Sequence, residues 1–167
     1  NMATRAIIKL ARREEGVTFS EHTDKIHTQI YHHYDGYPEY LGVTLANYLS
    51  DISVVNGLSG TFGVEEKNNI DKPEANGLGC LAAQLVCHLK LVNAGCDQNG
   101  KLNIPAGNVY LDTPGTKRGD LDYIYYVWAT ENKETWISIF ERSSDDEYSL
   151  CTFVGTPDKL LKKYDTN

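Results

Sequence analysis

The chain has 167 residues, of which 41% are hydrophobic and 23% charged, proportions typical of one globular domain with its own core. These values exclude global disorder, and the formal net charge of −7 argues against phosphate-driven binding, so nucleic acid is not an expected partner. No run of about 18 apolar residues and no signal-like apolar stretch at the start occur, which predicts a cytoplasmic protein without a membrane span.

The first two elements have the pattern of β-strands. Residues 5–11 are rich in Ile and Leu, and residues 25–33 alternate with a period of two, which is typical of a strand. A turn is expected at residues 14–16, so the two strands are predicted to pair as a hairpin. Ile26, Thr28, Ile30 and His32 are assigned to one face, and His27, Gln29, Tyr31 and His33 to the other.

A tight turn and a helix are predicted after the second strand. Gly36 is expected to supply the positive φ of the turn, since glycine adopts it without strain. Pro38 suits the first turn of a helix, and Glu39 lies near its favourable N-terminal dipole. Apolar residues at helical spacing continue to about Ile52.

A long loop and a second helix come next. Residues 56–76 are polar and aperiodic, which predicts a mobile or functional loop. A broad apolar face predicts a helix over Leu78–Leu89, with Gly95 as its C-terminal cap. Cys80 and Cys87 lie two turns apart on that helix and are expected in the core. No C-x-x-C pair occurs, so all four cysteines are expected to be reduced thiols.

The second half has the pattern of a strand meander with a terminal helix. Strands, then helices, then strands predict an α+β fold, with two main helices packed on one face of a mostly antiparallel sheet. No repeat or linker divides the chain, so residues 1–167 are predicted to form a single domain. The predicted segments are a turn at 99–100, strands at 108–111, 122–129, 135–142 and 148–154, and a helix at 157–164.

The densest group of reactive side chains is Tyr31, His33, Asp35, Tyr37 and Glu39. At a strand end that feeds a helix, tyrosine rings could stack a planar ligand while His33 and Asp35 form hydrogen bonds to it. The alternative is purely structural, with Asp35 capping the helix and His33 bonding a backbone carbonyl. Both interpretations remain open at this point.

A second candidate is the polar loop over residues 117–122. Arg118 could hold a phosphate or carboxylate, with Asp120 beside it. The alternative is a solvated loop with local salt bridges.

No metal site or cofactor is predicted. His27 and His33 would lie about 20 Å apart along a strand, and the neighbouring histidines 32 and 33 point to opposite faces. The Walker, G-x-G-x-x-G, G-x-S-x-G and H-E-x-x-H motifs do not occur in the chain.

The pattern Y-x-H-x-D-G-Y-P-E over residues 31–39, followed later by Gly119, Asp120, Tyr123 and Tyr125, resembles a group of small phage and prophage proteins without assigned activity. The resemblance covers the front third of the chain and the strand near Tyr123. It implies a phage-encoded accessory protein in bacterial cytoplasm, with a counter-defence or host-takeover role, and it assigns no catalytic residue.

Three functional hypotheses follow. The first is a non-enzymatic protein that binds a small nucleotide-like ligand, in a homo-oligomer. The second is an acidic inhibitor that binds a host protein, and the third is a small hydrolase or transferase that uses His33 and Asp35 as an acid–base pair. For the first hypothesis the predicted ligand-binding residues are Tyr31, His33, Asp35, Tyr37, Glu39, Arg118 and Asp120.

Overall fold

The structure is a computed structural model that describes residues 3–14, 25–57, 73–142 and 149–167. The strands are β1 (Ala6–Arg12), β2 (Ile26–His32), β3 (Ser53–Val55), β4 (Glu74–Asn76), β5 (Gly95–Cys96), β6 (Leu102–Asn103), β7 (Val109–Asp112), β8 (Tyr123–Ala129), β9 (Trp136–Arg142) and β10 (Ser149–Gly155). A π-helical turn, Pro38–Gly42, runs into α1 (Val43–Ser50), and the other helices are α2 (Gly77–Val92) and α3 (Pro157–Tyr164).

Six strands form the main sheet in the order β10-β9-β8-β1-β2-β7. The β1–β2 and β8–β9 hairpins are antiparallel, as predicted. The two hairpins are joined by a parallel pairing of β1 with β8, in which Ile8 lies opposite Tyr125. The mostly antiparallel α+β fold predicted from the sequence is confirmed, with this one parallel pair added.

One face of the sheet carries the helices. Ile8, Ile30, Tyr125 and Ile139 belong to the same buried cluster as the apolar faces of α1, α2 and α3. Three helices therefore form the layer, not two. None of the helices in the described ranges is long and apolar enough to cross a membrane. The opposite face, called the open face below, carries no helix among the described residues.

The turn at residues 35–36 differs from its prediction. Asp35 adopts the positive φ, at 54°, and Gly36 does not. Gly36 is needed for close packing instead, because a Cβ there would lie 2.7 Å from the Cβ of Ala6. Pro38 begins the π-helical turn as predicted, but the N-cap residue is Tyr37, without a side-chain cap, so Asp35 does not cap the helix.

The alternation along β2 breaks near its start. The register shifts between Leu10 and Ala11, so that Ala11 lies opposite Ile26. Ile26 consequently packs on the open face beside Ala11, and the His27 ring lies near Gly79 of α2. The predicted faces are correct for Ile30 and Tyr31, but a bulge exchanges the faces of Ile26 and His27.

Three further predictions around α2 need correction. The predicted loop over 56–76 is shorter, because Glu74–Asn76 forms β4, and residues 58–72 lie outside the described residues. The C-cap of α2 is Asn93 and not Gly95. Cys87 is exposed and Cys80 is only partly buried, so neither is a core residue as predicted.

Candidate functional site

The motif over residues 31–39 is divided between the two sides of the sheet. Tyr31 packs on the open face with Ile7 and Leu121, whereas the neighbouring Ile30 lies in the helix-side core. The backbone N–H of His33 donates to the Asn108 carbonyl at 2.8 Å, so the strand pairing with the segment before β7 continues past His32. Tyr31 and His33 are therefore brought together, two residues apart on one face.

Arg118 is held over Tyr31 by two neighbours on β7. Its Nε donates to Asp112 Oδ2 at 2.9 Å, and one Nη donates to the Tyr110 hydroxyl at 2.8 Å. The guanidinium carbon lies 4.3 Å from the centre of the Tyr31 ring, a cation–π contact. We call Arg118, Asp112, Tyr110 and Tyr31 the Arg118 clamp.

Asp112 neutralises the charge of Arg118 within the clamp. The hydrogen bond from Arg118 lowers the pKa of Asp112, so the carboxylate stays ionised and neutralises the guanidinium. The two side chains are only 25% and 14% exposed. Arg118 therefore braces the open face with a charge that is already paired, which argues against its predicted use as a phosphate anchor.

Tyr31 also forms a hydrogen bond with His33. The Tyr31 hydroxyl and His33 Nδ1 lie 2.6 Å apart, a short hydrogen bond. Burial, with the nearby charge of Asp120 and the Tyr110 phenol, raises the pKa of Tyr31, although Arg5 and Arg118 oppose the shift. The other ring nitrogen of His33, Nε2, bonds to none of the described residues.

A recess of about 300 Å³ lies beside His33. The Tyr34 ring, 54% exposed, stands edge-on to the His33 ring at 4.5 Å between ring centres. Asn108 forms part of the wall, and its buried Oδ1 has no hydrogen-bond partner. The lining residues are His33, Tyr34, Pro105, Ala106, Gly107 and Asn108, so no acidic or basic side chain faces the recess apart from the imidazole.

Asp120 lies at the margin of the Arg118 clamp. Its carboxylate is 3.6 Å from Arg5 Nε, and both side chains are substantially exposed. Its charge helps to raise the pKa of Tyr31, but Asp120 does not line the recess.

The remaining predicted residues lie elsewhere. The Tyr37 ring pairs with Tyr40 at 6.2 Å, and the Glu39 charge adds to burial in raising the pKa of Tyr125, on the helix side of the sheet. The Asp35 side chain makes no hydrogen bond with a described residue, and its charge adds to burial in raising the pKa of Tyr40. The His33 ring forms its hydrogen bond with the Tyr31 hydroxyl. It contacts neither the Asp35 carboxylate, as an acid–base pair requires, nor a backbone carbonyl.

Sequence reasoning missed Asn108, Tyr110 and Asp112, and it counted Tyr34 among the tyrosines of residues 31–39 without naming it as a site residue. Tyr110 and Asp112 are two residues apart on β7, which was predicted one residue earlier, at 108–111, and this spacing indicates a shared face. The pattern does not reveal that this strand pairs with β2, where Tyr110 lies opposite Tyr31.

The described residues contain no metal cluster, but they form a second cleft. No group of three or more His, Cys, Asp or Glu side chains that could hold a metal occurs in the described part of the chain. A larger, polar cleft of about 560 Å³ lies between the end of α1, β3, the β8–β9 turn and the start of α3. That cleft is lined by none of the predicted site residues.

Replacing Arg118 by lysine is expected to destabilise the protein by about 1–2 kcal/mol, because one ammonium cannot make both hydrogen bonds and the flat ring contact. The measurement is urea unfolding followed by tyrosine and tryptophan fluorescence. Arg5→Lys is the matched control, since the exposed Arg5–Asp120 pair is worth less than about 1 kcal/mol. Equal losses in the two variants would contradict the clamp.

Comparison with known proteins gives no relative: no protein-family model, curated protein or solved structure matches the chain.

Proposed function

We propose that the chain is a phage-type accessory protein of bacterial cytoplasm, with a counter-defence or host-takeover role, and that it binds a small nucleotide-like ligand without catalysis. The resemblance of residues 31–39 supports the phage origin. The recess beside His33 supports the binding function, and it is the observation on which that part of the proposal rests.

The recess suits the flat part of a ligand better than its phosphates. Its volume of about 300 Å³ is at the lower end for small-molecule sites and accommodates one nucleobase. The exposed Tyr34 ring offers a surface for stacking, and His33 Nε2 offers a hydrogen bond. Because Arg118 is paired with Asp112, phosphate groups would extend into solvent rather than bind to it.

A thermal-shift screen tests this proposal. The probes are nucleoside monophosphates, cyclic di- and oligonucleotides and ADP-ribose, each at saturating concentration. A probe at one hundred times its Kd stabilises the folded state by about 2.7 kcal/mol, a readily measured rise in Tm. We expect Tyr34→Ala to lose the rise because the stacking surface is removed.

Tyr37→Ala is the matched control, since Tyr37 is another exposed tyrosine that does not line the recess. The rise should persist in this variant. Equal rises in wild type and Tyr34→Ala would place binding outside the recess, and the absence of a rise with every probe would contradict the ligand class.

An acidic inhibitor of a host protein is the second candidate function. Leu102, Ile104 and Leu111 are exposed, and Leu111 on the edge strand β7 is 61% accessible. Exposed apolar side chains beside a sheet edge are typical of protein contacts. This function would be favoured if no probe in the thermal-shift screen raised the Tm and if the chain formed a stable complex with a host protein that Leu111→Glu disrupts.

A further inference from the structure

We propose that Tyr31, braced by Arg118, fixes His33 in the tautomer with its proton on Nε2, so that the recess selects planar rings that present an in-plane hydrogen-bond acceptor. The inference deepens the proposed function and rests on it for the identity of the site. It assigns His33 as the polar recognition group, and Tyr31 and Arg118 as positioning residues.

The hydrogen bond between Tyr31 and His33 has two arrangements. Either the tyrosine hydroxyl donates to Nδ1, which leaves the ring proton on Nε2, or Nδ1–H donates to the phenolic oxygen. In the second arrangement the hydroxyl proton needs another acceptor, and Tyr31 makes no further hydrogen bond with a described residue. Tyr31 is buried, so that proton would be left unsatisfied at a cost of about 1–3 kcal/mol.

The neighbours of Tyr31 favour the first arrangement as well. The hydroxyl stays protonated, since burial and the Asp120 charge raise its pKa. Arg118 places its cation 4.3 Å from the ring centre, and the Tyr110 ring lies 4.8 Å away, so the phenol is held from two directions. The ring therefore cannot turn away from His33 without breaking the clamp.

The consequence for the ligand is a donor at a defined place. His33 Nδ1 is occupied, so Nε2–H is the imidazole group left for the recess, and the other lining side chains carry no charge. A ring nitrogen or carbonyl in the plane of the ligand satisfies this donor. A ring of the same size with C–H at that position leaves it unpaired, which weakens binding.

Nitrogen-15 NMR of the histidine rings in the free protein tests the tautomer. Wild-type His33, assigned with His33→Gln, should show a pyrrole-type Nε2 and a pyridine-type Nδ1, with no Nδ1–H form. Tyr31→Phe keeps the ring but removes the hydroxyl, so a measurable Nδ1–H fraction should appear. Tyr37→Phe, the matched control, should leave His33 unchanged because Tyr37 packs against Tyr40 and does not line the recess.

Arg118→Met should also raise the Nδ1–H fraction, whereas Arg118→Lys should raise it less, since lysine keeps the cation. A wild-type His33 that carries its proton on Nδ1, or a Tyr31→Phe spectrum identical to that of wild type, would overturn the inference. These measurements need no ligand, so they fail or succeed separately from the thermal-shift screen.

The selection for an acceptor is tested with two probes of equal size. At millimolar concentration and neutral pH, pyridine should shift the His33 Nε2 signal, and benzene should not. The signals of His27 and His88 serve as internal controls. Equal effects of the two probes, or no effect of either, would overturn the selection while leaving the tautomer result in place.

Discussion

Gly36→Ala is expected to destabilise the protein by about 3 kcal/mol. The new Cβ would lie 2.7 Å from the Ala6 Cβ, 2.9 Å from the Thr4 carbonyl oxygen and 3.2 Å from the Ala6 nitrogen. Two of these three atoms belong to the backbone and cannot move aside as a flexible side chain can.

The packing around Gly36 is also tied by hydrogen bonds. Its N–H donates to the Thr4 carbonyl at 2.9 Å, and its own carbonyl accepts from the buried Tyr125 hydroxyl at 2.7 Å. A shift of the turn that relieves the clash would therefore weaken both bonds, which is why the expected loss is large.

Urea unfolding measures the effect, with the m-value as a check that the folded state is unchanged. Gly95→Ala is the matched control, because nothing lies within 4 Å of a Cβ at that position and its φ is not positive. Ala6→Gly should partly rescue Gly36→Ala by removing the nearest atom. A Gly36→Ala midpoint equal to that of wild type would contradict the close packing.

Acidification from pH 7 to pH 4 is expected to remove about 3 kcal/mol of stability through His32. His32 is 2% exposed, and neither ring nitrogen makes a hydrogen bond of normal geometry, although the Tyr34 backbone interacts with the ring enough to favour its charged form. Burial lowers the pKa of His32 from 6.5 to about 4, and the Tyr34 backbone and the Asp35 charge oppose this only in part.

As the pH falls, the unfolded state binds the His32 proton before the folded state does, so stability decreases. Between pH 6.5 and pH 4 the unfolded chain carries a protonated His32 while the folded chain keeps it neutral. The stability that comes from keeping His32 neutral is therefore fully present above the unfolded pKa of 6.5. It is lost as the pH falls from 6.5 to about 4, and it does not change further below that pH.

Urea unfolding at a series of pH values between 7 and 4 measures this loss, and His32→Leu should remove most of it. At pH 7 the variant should be as stable as wild type or more stable, because an apolar side chain replaces a buried polar ring that makes no hydrogen bond of normal geometry. His88→Leu is the comparison, since His88 is only partly buried and should contribute less. An unchanged pH slope in His32→Leu would refute the assignment.

Local pattern was sufficient for the six strands of the main sheet and for the helices, but not for the short strands β3 to β6. β2 shows a period of two, and β8 and β9 are aromatic-rich segments on either side of a polar turn, so these strands are visible without knowledge of their neighbours. The terminal helix was predicted at residues 157–164, where Pro157 follows the Thr156 N-cap. Periodicity and capping depend only on residues a few positions apart, so they can be recognised from the sequence alone.

The candidate site depended on contacts between distant segments. All five residues of the candidate group were chosen because they are close in sequence, and of these only Tyr31 and His33 share a strand face. The chain leaves the sheet after His33, so Asp35, Tyr37 and Glu39 lie away from the recess. The wall of the recess comes from residues 105–108 instead, which only the pairing beside β7 places next to His33.

By itself, the sequence determined the six strands of the main sheet, the three helices, the acidic composition and the reactive strand end at Tyr31 and His33. The tertiary structure decided the parallel β1–β8 pairing, the reason for Gly36, and the contact of Arg118 with Tyr31. The physical reason is that periodicity and capping are local properties, whereas strand order and side-chain contacts depend on which distant surfaces bury each other best.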